Sequence, residues 1–178
     1  MGDTMHSLPL QRTPIAQGFS LVDSCSFKIR TVDEAAQASA FAAHFFRDPE
    51  KIRNGLFELM LNAIEHGCLG IGHHLKSRLI ANKSWQLEIM RRQSLPENRQ
   101  KHTDVVFARK NGGIVVVVTD PGTGFDWKPW LSLDPARAAD AHGRGIARAR
   151  NLSFDALVYN EKGNQAVAQS NDVIDKAW

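Results

Sequence analysis

A chain of 178 residues, 43% hydrophobic and 23% charged, is long enough to enclose one core and has the balance of an ordinary globular domain. Its apolar runs are a few residues long, far short of the roughly 20 needed for a membrane span, and a net charge of +3 is too mild to mark a nucleic-acid binder. Cys25 and Cys68 have neither metal-ligand spacing nor a disulfide pattern and no signal-peptide pattern opens the chain, so a cytoplasmic protein is expected, with no membrane and no direct nucleic-acid partner.

The stretch 1–18, with two prolines and many polar residues, predicts a flexible leader, and residues 19–178 are expected to form a single domain. Phe19 to Val22 reads as a short edge strand and Ser26 to Thr31 as a strand. A helix follows, with Thr31 or Asp33 as its cap and Glu34 at the capping-box distance from Thr31. Its expected buried stripe is Ala35, Ala38, Phe41, Ala42 and Phe45. Asp48-Pro49-Glu50 then restarts the chain with a cap, a first-turn proline and a first-turn acid.

The helix opened there contains GLFELMLNAIEHG, residues 55–67, which is apolar on most sides. It sets Glu58, Asn62 and His66 at i, i+4 and i+8, along one face. Either this row faces solvent beside a core, or it is buried and partnered, because an unpaired buried polar group costs about 1–3 kcal/mol. Glu65 sits one residue off the row and is expected to point elsewhere. Residues 69–103 begin with a glycine-rich LGIG, continue as one helical-looking run and break at Pro96. Between Lys76 and Lys101 this segment carries seven Lys/Arg against two Glu, which fits a solvated basic face or a surface for an acidic protein. Trp85 is its one aromatic, which argues against single-stranded nucleic acid.

Asp104 to Lys110 and Ile114 to Asp120 are β-rich runs joined by Asn111-Gly112-Gly113, a hairpin signal, and IVVVV should lie centrally in a sheet. Asp120 then begins D-P-G-T-G-F. An aspartate at a strand end can accept a hydrogen bond from an exocyclic amine, and Gly122 and Gly124 let the backbone pass close to a flat ring. Strand-to-turn Asp-Gly pairs are also common in purely structural turns. His142 to Ile146, H-G-R-G-I, leads into a helix expected over Ile146 to Leu152; exposed N–H groups at such a start suit a phosphate, although glycines also simply begin helices. Phe154 to Asn160 and Gln165 to Gln169 predict a last strand pair around residues 161–164.

Taken in order, E-L-M-L-N-A-I-E-H-G, D-P-G-T-G-F and G-R-G-I resemble the three ATP boxes of the GHKL superfamily, which includes gyrase, a heat-shock chaperone, histidine kinases and anti-sigma-factor serine kinases. They are most similar to the anti-sigma-factor branch, over roughly Phe27 to Gln169. The resemblance implies an α/β fold, a two-layer sandwich of the Bergerat type, with a mixed, mostly antiparallel sheet covered by helices on one face. It implies ATP and Mg²⁺ as cofactors. Asn62 matches the magnesium ligand, and Glu58 the acid that orients or deprotonates the attacking hydroxyl or water. Asp120 matches the adenine-reading acid, with Gly122, Gly124 and Phe125 shaping the wall beside it. Gly143, Arg144 and Gly145 match the phosphate-binding end of the lid, with Ile146 behind them. His66 falls at the end of the first box beside the nucleotide, in a packing and helix-ending role rather than a catalytic one.

Three departures stand out: the long, inserted helical segment at 69–103, Asn164 and Gln165 where many relatives carry a threonine near adenine, and a short lid. The implied function is phosphate transfer from Mg·ATP to a serine of an antagonist protein, with sequestration of a client such as a sigma factor; homodimerisation is a family expectation. The alternative is a non-catalytic, nucleotide-dependent interaction module of the same fold. A histidine-kinase piece is disfavoured by the short stretch before Ser26, and a gyrase-like ATPase by the lack of a transducer after Trp178.

Overall fold

The computed structural model of the protein describes residues 18–131 and 145–174. The leader expected over 1–18 therefore lies, apart from Gly18, outside the described residues, as do His142, Gly143 and Arg144. Five strands, β1 (Ser24–Ile29), β2 (Thr103–Lys110), β3 (Gly113–Thr119), β4 (Ala156–Tyr159) and β5 (Gln165–Ser170), form one sheet in the order β1-β2-β3-β5-β4. Each pairing is antiparallel, where a mixed, mostly antiparallel sheet is expected from the sequence. The helices are α1 (Val32–Ala43), α2 (Pro49–Asn62), α3 (His73–Ala81), α4 (Trp85–Ser94) and α5 (Gly145–Arg148). The result is the expected two-layer α/β sandwich.

Both long helices begin as the sequence predicts. Thr31 Oγ1 accepts the Glu34 N–H at 3.1 Å while Glu34 Oε2 accepts the Thr31 N–H at 3.0 Å, a complete capping box. Asp48 Oδ1 accepts the Lys51 N–H at 3.1 Å, with Pro49 at the first helical position. Ile52, Leu56, Met60 and Ile64 are fully buried along one side of α2 and its continuation. They meet the inner face of the sheet, where Val105, Phe107, Val116, Val118 and Ala168 alternate inward. Burying each large aliphatic chain contributes about 2 kcal/mol.

Four local expectations are corrected. Phe19–Leu21 is a 3₁₀ turn rather than an edge strand, because Arg109 donates to Phe19 O and Val22 O and the Phe19 ring packs on Phe41 and Phe45. Phe41, expected inside, is 45% exposed and rests its ring against neighbouring aromatic edges. The helical run within 69–103 is two helices, broken at Asn82–Ser84, where Lys83 takes a positive φ of 55°. The helix expected at Ile146 to Leu152 is a single α-turn, α5, which widens into a π-turn over Ala149–Ser153.

A π-turn also ends α2. Over Ala63–Cys68 the winding loosens, so that Leu69 N–H reaches Ile64 O at 2.9 Å. The hairpin between β2 and β3 is tighter than the sequence suggests: Gly113 already pairs with Lys110. Asn111 and Gly112 alone make the turn, with φ of 52° and 77°. Among the described residues no helix is long and apolar enough to cross a membrane.

Candidate functional site

Between α2, the start of α5 and the ends of β3 and β4 lies a cavity of about 670 Å³. Glu58, Asn62, His66, Asp120, Gly124, Phe125, Gly145 and Ile146 all line it. The three-residue row, on α2 and the π-turn that ends it, is therefore neither solvent-facing nor sealed in the core: it borders a chamber within the size range of small-molecule sites. Gly122 stands behind the wall, and Gly143 and Arg144 fall outside the described residues.

One end of the chamber is built on Asp120. Its N–H donates to Asn164 O at 3.0 Å and its carbonyl accepts from Asn164 Nδ2 at 2.9 Å, so β3 is clamped to the β4–β5 turn. Gly122 N–H donates to Asp120 Oδ1 at 2.8 Å, and among the described residues no protein donor reaches Oδ2. Gly67 brings the end of α2 so close that a β-carbon there would fall on the Asp120 carboxyl group. Burial raises the Asp120 pKa, partly offset by the Gly122 N–H and the nearby Lys162 charge. Gly124 (φ +82°) lies against the Lys162 backbone and Gly163 (φ +80°) against that of Phe125, which interlocks the D-P-G-T-G-F loop with the turn after β4. Asn160 Oδ1 holds that turn by accepting Gly163 N–H at 2.7 Å and Asn164 N–H at 3.1 Å.

The aromatic wall at this end includes Tyr159, which lies in none of the sequence motifs. Its ring lies 5.5 Å from Phe125, edge to face, and 5.9 Å from Trp127, stacked. Its position as the last residue of β4, beside the Asn160 turn, was the available signal. Asn164 and Gln165 do not line the chamber. Asn164 is spent on Asp120, and Gln165 Nε2 donates to Thr119 Oγ1 at 3.0 Å, while Gly163 and Ala166 face the space.

The other end centres on Glu58 and Asn62. Gly145 opens α5 so near Glu58 that a β-carbon at 145 would meet its Oε2, and this close approach is what a glycine at the helix start permits. Burial raises the Glu58 pKa; the cations Lys76 and Arg148 pull it down, and Glu65 pushes it up. His66 donates from Nδ1 to Ile71 O, and burial lowers its pKa, so its neutral ring presents the Nε2 lone pair. This contact ties the π-turn to the following loop.

Glu65 is the main surprise of the π-turn. It is fully buried, and its carboxylate accepts from Lys76 Nζ on α3 and Trp85 Nε1 on α4. Residues 70–73 and Lys76 consequently form a wall of the chamber. Part of the basic charge of 69–103 is also consumed internally: Arg92 donates to Leu69 O at 2.8 Å and Gly70 O at 2.9 Å and pairs with Glu88.

A family model described as the histidine kinase-like ATPase domain matches residues 26–169, a span that contains every one of these cavity-lining residues. No curated protein matches the chain.

Proposed function

Because the chain belongs to the histidine kinase-like ATPase family, a GHKL-type group of ATP-binding domains, we propose that it is a regulator of the anti-sigma-factor serine-kinase type. It transfers the terminal phosphate of Mg·ATP to a serine of an antagonist protein and sequesters a client such as a sigma factor, with homodimerisation as part of the same proposal. The supporting observation is that Glu58 and Asn62 from a helix, Asp120 from a strand end and Gly145 from a helix start share one chamber.

The residues present fit the group. A purine needs an acceptor for its exocyclic amine and a flat, partly apolar slot. Asp120 Oδ2 supplies the first, and Gly124, Phe125, Ala166 and Tyr159 the second. For Mg²⁺, Asn62 offers one amide oxygen, a suitable donor when phosphates and water complete an octahedron. Among the described residues no three His, Cys, Asp or Glu cluster into a self-sufficient cage. When bound, Mg²⁺ neutralises part of the phosphate charge and holds it in place.

Glu58 then acts as the base. It takes the proton of the serine hydroxyl as that oxygen bonds to the terminal phosphorus; the bond to the bridging oxygen breaks, and ADP leaves with the electron pair. Burial that raises its proton affinity suits this role.

Calorimetry with Mg·ATP tests the chamber. Asn62→Ala is expected to weaken Mg-dependent ATP binding at least tenfold, and Asp120→Asn to weaken all adenine nucleotides by a similar factor. Equal affinity in the native chain and both variants would sink the assignment. Incubation with Mg·ATP and candidate antagonists, followed by mass spectrometry, tests the transfer. Phosphoserine that vanishes in Glu58→Gln supports the kinase; tight nucleotide binding without any acceptor supports the non-catalytic module instead.

A further inference from the structure

Lys76 is the feature of the chamber that this function does not use. It sits on α3, outside the sequence boxes that carry the family resemblance, yet it lines the cavity with a side chain 14% exposed. Of the described lining residues only Lys76 and Arg148 carry a permanent positive charge, against Glu58, Asp120 and Asp126. Arg148, the last residue of α5, is exposed, whereas Lys76 is held. Its ammonium donates to Glu65, which has no solvent contact and whose other oxygen accepts the Trp85 indole N–H. A carboxylate so deep is retained only if well paired, so Glu65 and Trp85 together fix where the lysine can reach. An ammonium has three N–H donors, and Glu65 is the one hydrogen-bond acceptor it meets among the described residues. Lys76 also lies near enough to Glu58 to draw down its pKa, which sets it at the end of the chamber away from Asp120.

We propose that Lys76, presented by α3 and anchored through Glu65 to Trp85 on α4, binds the distal phosphates of the nucleotide and makes the chamber prefer a triphosphate. This rests on the chamber being the nucleotide site. A polyphosphate entering a space lined by three carboxylates needs fixed cations, and a partly buried ammonium with spare donors gives a charge-assisted bond at little ordering cost. The α3–α4 pair thereby becomes part of the binding site as well as an outer surface. Glu65 acts on the ligand only through the lysine, as a positioning residue.

The test compares Mg·ATP, Mg·ADP and adenosine by calorimetry on the whole chain. Lys76→Met is expected to lose about tenfold or more in ATP affinity while adenosine changes less than about twofold. Lys76→Met leaves the buried Glu65 without its cation, so the double variant Glu65→Gln/Lys76→Met keeps the comparison possible if the single one fails to fold. Trp85→Phe, which loosens the anchor, is expected to lower ATP affinity by a smaller factor and again spare adenosine. A separate readout uses the native chain: amine acylation of Lys76, followed by mass spectrometry, should fall with Mg·ATP bound and not with adenosine. An unchanged ATP-to-adenosine preference in the variants, with no ATP protection of Lys76, overturns this inference and leaves the nucleotide site standing. Failure of the native chain to bind either ligand overturns both.

Discussion

At Gly67 the position a β-carbon would take is filled by the carboxyl group of Asp120. Gly67→Ala is therefore expected to push that carboxyl group out of place, costing about 1–3 kcal/mol of stability and most of the adenine-nucleotide affinity. Denaturant titration and calorimetry check the two effects, and an alanine variant with native affinity would show that Asp120 does not read the base. Burial of the site's carboxyl groups adds a pH effect. Burial raises the pKa of Glu58 and Asp120 because it penalises their charged forms. A carboxyl group that holds its proton more tightly folded than unfolded contributes stability fully below its ordinary pKa and loses it as pH rises through the raised folded value. Glu58→Gln and Asp120→Asn are thus expected to give a ligand-free protein that is more stable at neutral pH and less sensitive to pH, with poorer function. Lower denaturation midpoints in both variants would contradict the assigned shifts. The pattern is that of a site held at some cost to the fold.

At the scale of elements, the π-turn after α2 sets the geometry. Its looser winding turns Glu65 inward toward α3 and α4 while His66 remains on the chamber. Such widened turns occur often at functional sites because they re-aim side chains without breaking a helix. Glu65→Ala, which strands Lys76 beside the chamber, is expected to destabilise the protein by about 3–5 kcal/mol. Thr31→Ala, which removes only a cap, should cost about 1 kcal/mol. Both are read from urea midpoints, and a Glu65 effect no larger than the Thr31 effect would mean that α3 and α4 are not held by the buried pair. The Asn111-Gly112 turn and the Thr31 and Asp48 caps were legible in the sequence because each depends on residues within a few positions of one another.

For the whole molecule, nucleotide binding and stability are one equilibrium. Mg·ATP at 100 times its dissociation constant should add about 2.7 kcal/mol to unfolding, seen as a rise in melting temperature that Asp120→Asn cuts by about half or more and that GTP, lacking the adenine amine, does not reproduce. An equal rise with GTP would remove base reading from Asp120. What the sequence determined by itself was local or periodic: the alternating strands, the capped helices, the row Glu58, Asn62 and His66, and the order of the glycine motifs that pointed to one ATP-binding fold. The tertiary structure decided which charges are buried, what they meet and which surfaces close the chamber. Glu65 finds Lys76 and Trp85, Tyr159 joins the aromatic wall and Arg92 is spent on backbone carbonyls. Hydrogen-bond spacing within a helix or turn is written in neighbouring residues. The cost of burying a charge depends on partners that meet only when separate elements pack, and neither periodicity nor capping spacing records that meeting.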